Sequence, residues 1–216
     1  MSLTKVSYSM IQGAPANALD FGVTGDGVTD DTNALQSFFD YVSSNHIAGV
    51  IPSGNYIVSS TLTVTSATTI SDFAILGEVE QSVWQINAAV GVRFLWAGES
   101  GGTVISFNNV RSATIANIFI TPETTQNIGV CLSIDGINSS GVQASIGSAP
   151  GSGVVQTGIL LAYTATSGCD LHRLYNLQFS NLTNGVYIYN SQSKFNIIEK
   201  SDITFCVNGI NVKSGS

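Results

Sequence analysis

Hydrophobic positions along this chain change rhythm once, early. Ala34, Leu35, Phe38, Phe39 and Val42 fall at i, i+1, i+4, i+5 and i+8, which is one helical face. The run from Thr29 to Ser43 is therefore a predicted helix. Thr29 or Asp30 would serve as N-cap, with the acids that follow in the first turn, facing unpaired N–H groups and the positive end of the dipole. No other stretch has a convincing helical period, so this apolar helix must cover something. Residues 1–18 are polar and mixed and read as an extended lead-in. After "PSGNY" the period shortens. "YIVSSTLTV" and "TVISF" alternate or run apolar between Gly, Ser, Asn and Asp, as strands do.

The strands repeat. "NIFI", "NLQF" and "DITF" begin at Asn117, Asn176 and Asp202, and each is followed by an apolar run opening on glycine: "GVCLSI", "GVYIY" and "GINV". "GILLAY" at Gly158 adds a fourth run, and the glycines at 129, 158, 185 and 209 stand 29, 27 and 24 residues apart. A loose period of this length, with short strands and Gly/Asn turns, predicts a parallel β-helix whose coils stack at the strand spacing. The open end of such a solenoid needs a cap, and the 29–43 helix is the candidate. The expected division is a lead-in over 1–18 and one solenoid domain over 19–216. The Gly/Ser-rich stretch 138–153 would be a surface insertion.

Composition agrees and narrows the partners. Hydrophobic residues make up 44 % and charged residues only 10 %, so polar faces must be built from hydroxyls and amides. A net charge of −7 argues against nucleic acid and anionic membrane, and is compatible with a glycan. No run is long and apolar enough for a membrane span, and "MSLTKVSYSM" lacks the apolar core of a signal peptide. Synthesis in a cytoplasm without export is the expectation. Cys131, Cys169 and Cys206 form neither a CxxC nor a metal-ligand spacing with His46 or His172, so free thiols, no metal and no cofactor are expected.

One stretch carries a family resemblance. "NALDFGVTGDGVTDDTNALQSFFDYV", with the preceding "SYSMIQGAPA" and the later "GTVISFNNVRSATIANIFI", resembles the start of the pectate-lyase-like right-handed parallel β-helix proteins, and more narrowly bacteriophage tailspikes. The shared features are a DFG-type strand, a GDG turn, a TDD-type helix start and an apolar helix. The resemblance implies an all-β fold, a single-stranded right-handed parallel β-helix with an N-terminal capping α-helix. It further implies a homotrimer in the virion, on the phage tail beside other tail proteins, that binds host capsule or O-antigen polysaccharide and in full length depolymerises it. The chain would then be an N-terminal portion of such a spike. The NTD, GHG and RIK signatures of polygalacturonase relatives do not occur. A non-catalytic, trimerising fragment and a cellular polysaccharide lyase or hydrolase therefore stay open beside the depolymerase.

Candidate residues follow. Asp26, Asp30 and Asp31 lack the glycine placement and distal Glu of an EF-hand, and adjacent acids in a helix diverge by about 100°, so they read as a structural cap motif. If the last repeats align on Asn176 and Asp202, Arg173 lies under Glu199 as an exposed ion pair; Glu199 with Asp202 could alternatively serve as a glycosidase pair. Asp170, His172 and Arg173 offer a base and a cation for lyase chemistry. Among Trp84, Trp96, Tyr163, Tyr187 and Tyr189, the last two share strand parity. Facing outward they would form a sugar platform or a trimer contact. Facing inward they would be core.

Overall fold

The computed structural model describes residues 13–65, 72–79, 91–136, 139–151, 153–161, 169–189 and 193–213. The chain opens with β1 (Ala16–Asn17), a 3-10 turn over Ala18–Phe21, β2 (Asp26–Asp30) and α1 (Thr32–Asn45). It then winds into a solenoid. The first coil is β3 (Ala48–Ile51), β4 (Gly54–Val58) and β5 (Leu62–Thr65), and the second is β6 (Ala74–Gly77), β7 (Val92–Trp96) and β8 (Gly102–Asn108). In the third, β9 (Thr114–Pro122) spans two faces before β10 (Ile128–Asp135); in the fourth, β11 (Gln143–Ser148) does so before β12 (Val155–Leu161). β13 (Arg173–Tyr175), β14 (Gln178–Ser180) and β15 (Asn184–Ile188) form the fifth, and β16 (Ile197–Glu199), β17 (Asp202–Thr204) and β18 (Asn208–Val212) the sixth.

Every pairing between these strands is parallel, as stacked coils require. Two faces merge through β9 and β11 into a twelve-stranded sheet, and the third face is a six-stranded sheet ordered β5-β8-β10-β12-β15-β18. Inward positions stack into apolar ladders, such as Ile105–Leu132–Ile159–Val186–Ile210. The solenoid predicted from the repeats is the fold.

α1 stands where a preceding coil would place its third strand. β1 stacks on β3, β2 on β4, and α1 lies over β5. Its buried face is Thr32, Leu35, Phe38, Phe39 and Val42, the helical stripe with Thr32 added. From its polar edge, Gln36 makes two bonds to β5. Its Nε2 donates to the Thr63 carbonyl and its Oε1 accepts from the Thr63 N–H, both at 2.8 Å. One side-chain amide thus pairs the free edge of the first coil as a neighbouring strand would.

Three expectations need correction. The helix begins at Thr32 with Asp31 as N-cap, Asp31 makes no side-chain capping bond, and no acid lies in the first turn. The carboxylates of Asp26 and Asp31 are taken by the turn that precedes the helix, while Asp30 accepts from the Thr32 N–H at 3.0 Å. The stretch 138–153 is not a surface insertion: it supplies β11, in which Ala144 to Ser148 are buried. Small residues are needed there because the ring of Phe119 packs on Gly147, where an added Cβ would come within 2.8 Å of it. The third correction concerns register. Gln178, not Asn176, pairs with Asp202, and Tyr175, not Arg173, pairs with Glu199.

The corners explain the last point. Leu171, Asn176 and Asn181 have φ of 61°, 48° and 61°, and Phe195, Lys200 and Phe205, 24 positions later, have 56°, 48° and 54°. Left-handed residues at three corners turn each of these two coils, so Asn176 stacks under Lys200. Phenylalanine is a costly choice in this conformation, yet Phe195 and Phe205 hold it while exposed. All three cysteines are free thiols, with Cys131 and Cys169 buried.

Candidate functional site

The alternation that buries one side of the six-stranded sheet exposes the other. Thr63, Ser106, Ser133, Leu160, Tyr187 and Asn211 stand in one register row across all six strands. A second row runs Thr103, Val130, Thr157, Asn184, Asn208, in which Asn208 and Asn211 both donate from Nδ2 to Asn184 Oδ1 at 3.0 Å. A groove of about 340 Å³ lies along this face, lined by Thr103, Ser133, Asp135, Thr157, Leu160 and Tyr187 among others. Its size falls at the low end of ligand sites, about 300–1,000 Å³. Its polar groups are mainly hydroxyls, each able to donate and accept.

Tyr187 and Tyr189 lie on this outer side, half-buried, with ring centroids 5.9 Å apart and edge to face. The Lys213 ammonium sits 4.9 Å from the Tyr189 centroid. Among the described residues, Asp135 is the one charged side chain lining the groove, and its Oδ1 accepts from the Gly136 N–H at 2.7 Å. Glycoside hydrolysis by paired carboxylates needs two at roughly 5–9.5 Å. The groove offers one.

The lyase candidates are not gathered on one surface. His172 is fully buried. Its Nδ1 accepts from the Val142 N–H at 3.2 Å, and its Nε2 lies 3.2 Å from the Cys169 Sγ, which itself donates to the Ile134 carbonyl. Burial pushes its pKa down to about 4, against the favourable charge of Asp170. A neutral imidazole inside the solenoid cannot reach a sugar outside it. Arg173 points outward and pairs with Glu199, Nε donating to Oε1 at 2.7 Å. That contact is diagonal, reaching two positions past Ile197, the register partner of Arg173. Asp170 accepts from the Lys194 N–H, and Asp202 is exposed at the start of β17. Glu199 and Asp202 belong to the twelve-stranded sheet, away from the groove. Trp96 is core, its Nε1 donating to the Glu99 carbonyl, while Trp84 and Tyr163 lie outside the described residues.

The opening acids build a turn. Asp26 accepts from the Val28 and Thr29 N–H groups at 2.8 and 2.7 Å, and the bond from Thr29 leads in holding its carboxyl below the usual value. For Asp30, burial opposes ionisation, but bonds from Ser59 and Thr32 outweigh it and lower the pKa. Asp31, 1 % exposed, accepts from the Thr24 N–H and hydroxyl and the Gly25 N–H at 2.7, 3.0 and 3.1 Å. Gly25 needs its φ of 65°, and a Cβ there would strike the Tyr56 ring at 2.8 Å. These bonds order the turn that leads into α1.

Residues 16–216 match the family described as rhamnogalacturonase A/epimerase, pectate lyase-like. The chain belongs to this family. Among solved structures, it is similar to ORF18 of Geobacillus virus E2, at 16 % identity and a TM-score of 0.56, over 89 % of this chain and 42 % of that one. This chain thus spans less than half the length of the phage protein, and the likeness is one of fold. The phiAB6 tailspike, in complex with three-repeated oligosaccharides of Acinetobacter baumannii surface polysaccharide, matches at 14 % identity over 96 % of this chain and 48 % of its own. Its TM-score of 0.38 is too low to carry anything further. No curated protein matches the sequence.

Within this pectate-lyase-like solenoid the residue that sequence reasoning passed over is Asp135, with the hydroxyl row beside it. The signal was present in "GVCLSID", whose alternation puts Ser133 and Asp135 outward. It was obscured by aligning Gly129 on Gly158. In fact Val130 pairs with Thr157 and Ser133 with Leu160, an offset of 27 rather than 29.

Proposed function

We propose that this chain is a polysaccharide-binding solenoid of a phage tailspike, engaging host capsule or O-antigen through the outer face of its six-stranded sheet. The observation that carries the reading is the groove, with the Tyr187 ring set among threonine and serine hydroxyls. A half-exposed ring offers an apolar face to a sugar, and the hydroxyl rows offer paired donors and acceptors around it. The family's name, taken from enzymes of pectin, and the tailspike-like opening motif support the same direction. One carboxylate in the groove favours binding over cleavage at this face. A virion location, a homotrimer and contacts with other tail proteins belong to this reading.

The test is retention of purified capsular and O-antigen polysaccharides from a bacterial panel on immobilised protein, with reducing ends and unsaturated uronide absorbance followed together. Retention without product is the expected outcome, lost in Tyr187→Ala. Failure to retain any polysaccharide overturns the proposal, and release of product replaces it with a depolymerase. Light scattering should give three times the chain mass; a monomer removes the trimer.

A further inference from the structure

We infer that the groove takes an uncharged stretch of glycan, presenting hydroxyl and acetamido groups, and rejects polyuronate chains of the kind the family's name suggests. This rests on the reading of the face as a glycan site and deepens it.

The argument is one of charge. A uronate-containing chain presents one carboxylate every residue or two, and its recognition calls for cations, arginine above all, at matching positions. The sequence has seven Lys and Arg in all, and none of the six described ones lines the groove. Arg93 belongs to the twelve-stranded sheet, against the Phe119 ring. Arg173 is committed to Glu199 on that same sheet. Lys200 sits at the corner between β16 and β17, Lys194 in the connection from β15 to β16, and Arg111 makes a bridge with Ser140 at the corner after β8. Lys213 covers Tyr189, beyond the strand that carries Tyr187. The groove's only charge among the described residues is Asp135, and the whole chain carries −7. A uronate entering it would meet a like charge and nothing to neutralise it.

What the groove does offer suits neutral sugar. Thr103, Ser133 and Thr157 give hydroxyls that donate and accept, Gln156 adds an amide, and Val130 and Leu160, the register partner of Tyr187, add apolar surface. Because no ion pair would form, binding should not depend on ionic strength.

The experiment measures binding of six tetrasaccharides by saturation-transfer NMR and calorimetry at low and high salt. Four are uncharged, derived from dextran, mannan, galactan and chitin, and two are charged, tetragalacturonate and tetramannuronate. At least one uncharged probe should bind with a salt-independent affinity that falls about tenfold in Tyr187→Ala, while neither uronate binds. Ser133→Lys, which places one ammonium mid-groove, should create tetragalacturonate binding that high salt abolishes. Uronate binding to the native chain, lost in Tyr187→Ala, overturns the inference and leaves the glycan site standing. Binding of none of the six, or binding indifferent to Tyr187→Ala, overturns the glycan site and the inference with it.

Discussion

Asp26, Asp30 and Asp31 are chemically alike and near neighbours, yet their surroundings separate them. Asp31 is sealed in and satisfies three donors of the Thr24–Gly25 turn, whereas Asp26 does similar work in full contact with water. Removing a buried acceptor strands its donors, while water replaces an exposed one. Asp31→Ala should therefore lower unfolding free energy by about 3 kcal/mol, judged by charge-assisted bonds of roughly 1.5–3 kcal/mol shared among several donors. Asp26→Ala should cost far less. Urea titration of the two variants checks this, and equal losses would show that the buried turn is not what Asp31 holds. The sequence offers the trio neither calcium nor catalytic spacing. It does not reveal which acid is buried, because that depends on the Tyr56 ring, brought up against Gly25 from the first coil.

At the scale of elements, the helix and the strands were readable because each carries a strong period, and the cap because an apolar helix beside a solenoid end has one use. β11 was not readable. Apart from Ile146, its buried residues are Ala, Ser and Gly, with Gly147 held small by the Phe119 ring, and the stretch looks like a loop. Register was missed by two positions where Gly129 is set on Gly158 and "NLQF" on "DITF", because the last coils turn on left-handed corners filled by Asn, Lys, Leu or Phe. The cap's own mechanism was also hidden, for Gln36 sits on the polar side of the helix. Gln36→Leu keeps helix propensity and removes both bonds to Thr63. It should cost about 1–2 kcal/mol, at about 1 kcal/mol per bond, and the Thr63 amide should lose hydrogen-exchange protection before the amides of β8. Undiminished protection at Thr63 would mean that α1 covers the edge without that amide.

Seen whole, the solenoid's interior is mainly apolar, and His172 is a titratable ring placed within it, bonded to Val142 and beside Cys169. Burial depresses its folded pKa from 6.5 to about 4. Between these values the unfolded chain binds the proton and the folded chain does not, so stability must rise with pH across that window. The contribution is complete above pH 6.5 and is lost progressively as pH falls towards 4. A shift of this size corresponds to on the order of 3 kcal/mol at about 1.4 kcal/mol per pKa unit. Protonating Nδ1 would also set an N–H against the Val142 N–H that now donates to it. Asp26 and Asp30 act in the same direction, but their folded values lie below 3.8, so their contribution is lost only at lower pH. Urea midpoints measured from pH 7 to 4.5 should therefore fall steeply for the native chain. His172→Gln can still accept from Val142 and has nothing to titrate, so its midpoints should be lower at pH 7 and nearly flat to pH 4.5. Parallel curves for the two proteins would place the acid sensitivity elsewhere. Diverging curves that meet near pH 4.5 would locate it in a ring the fold keeps neutral, and out of reach of any substrate.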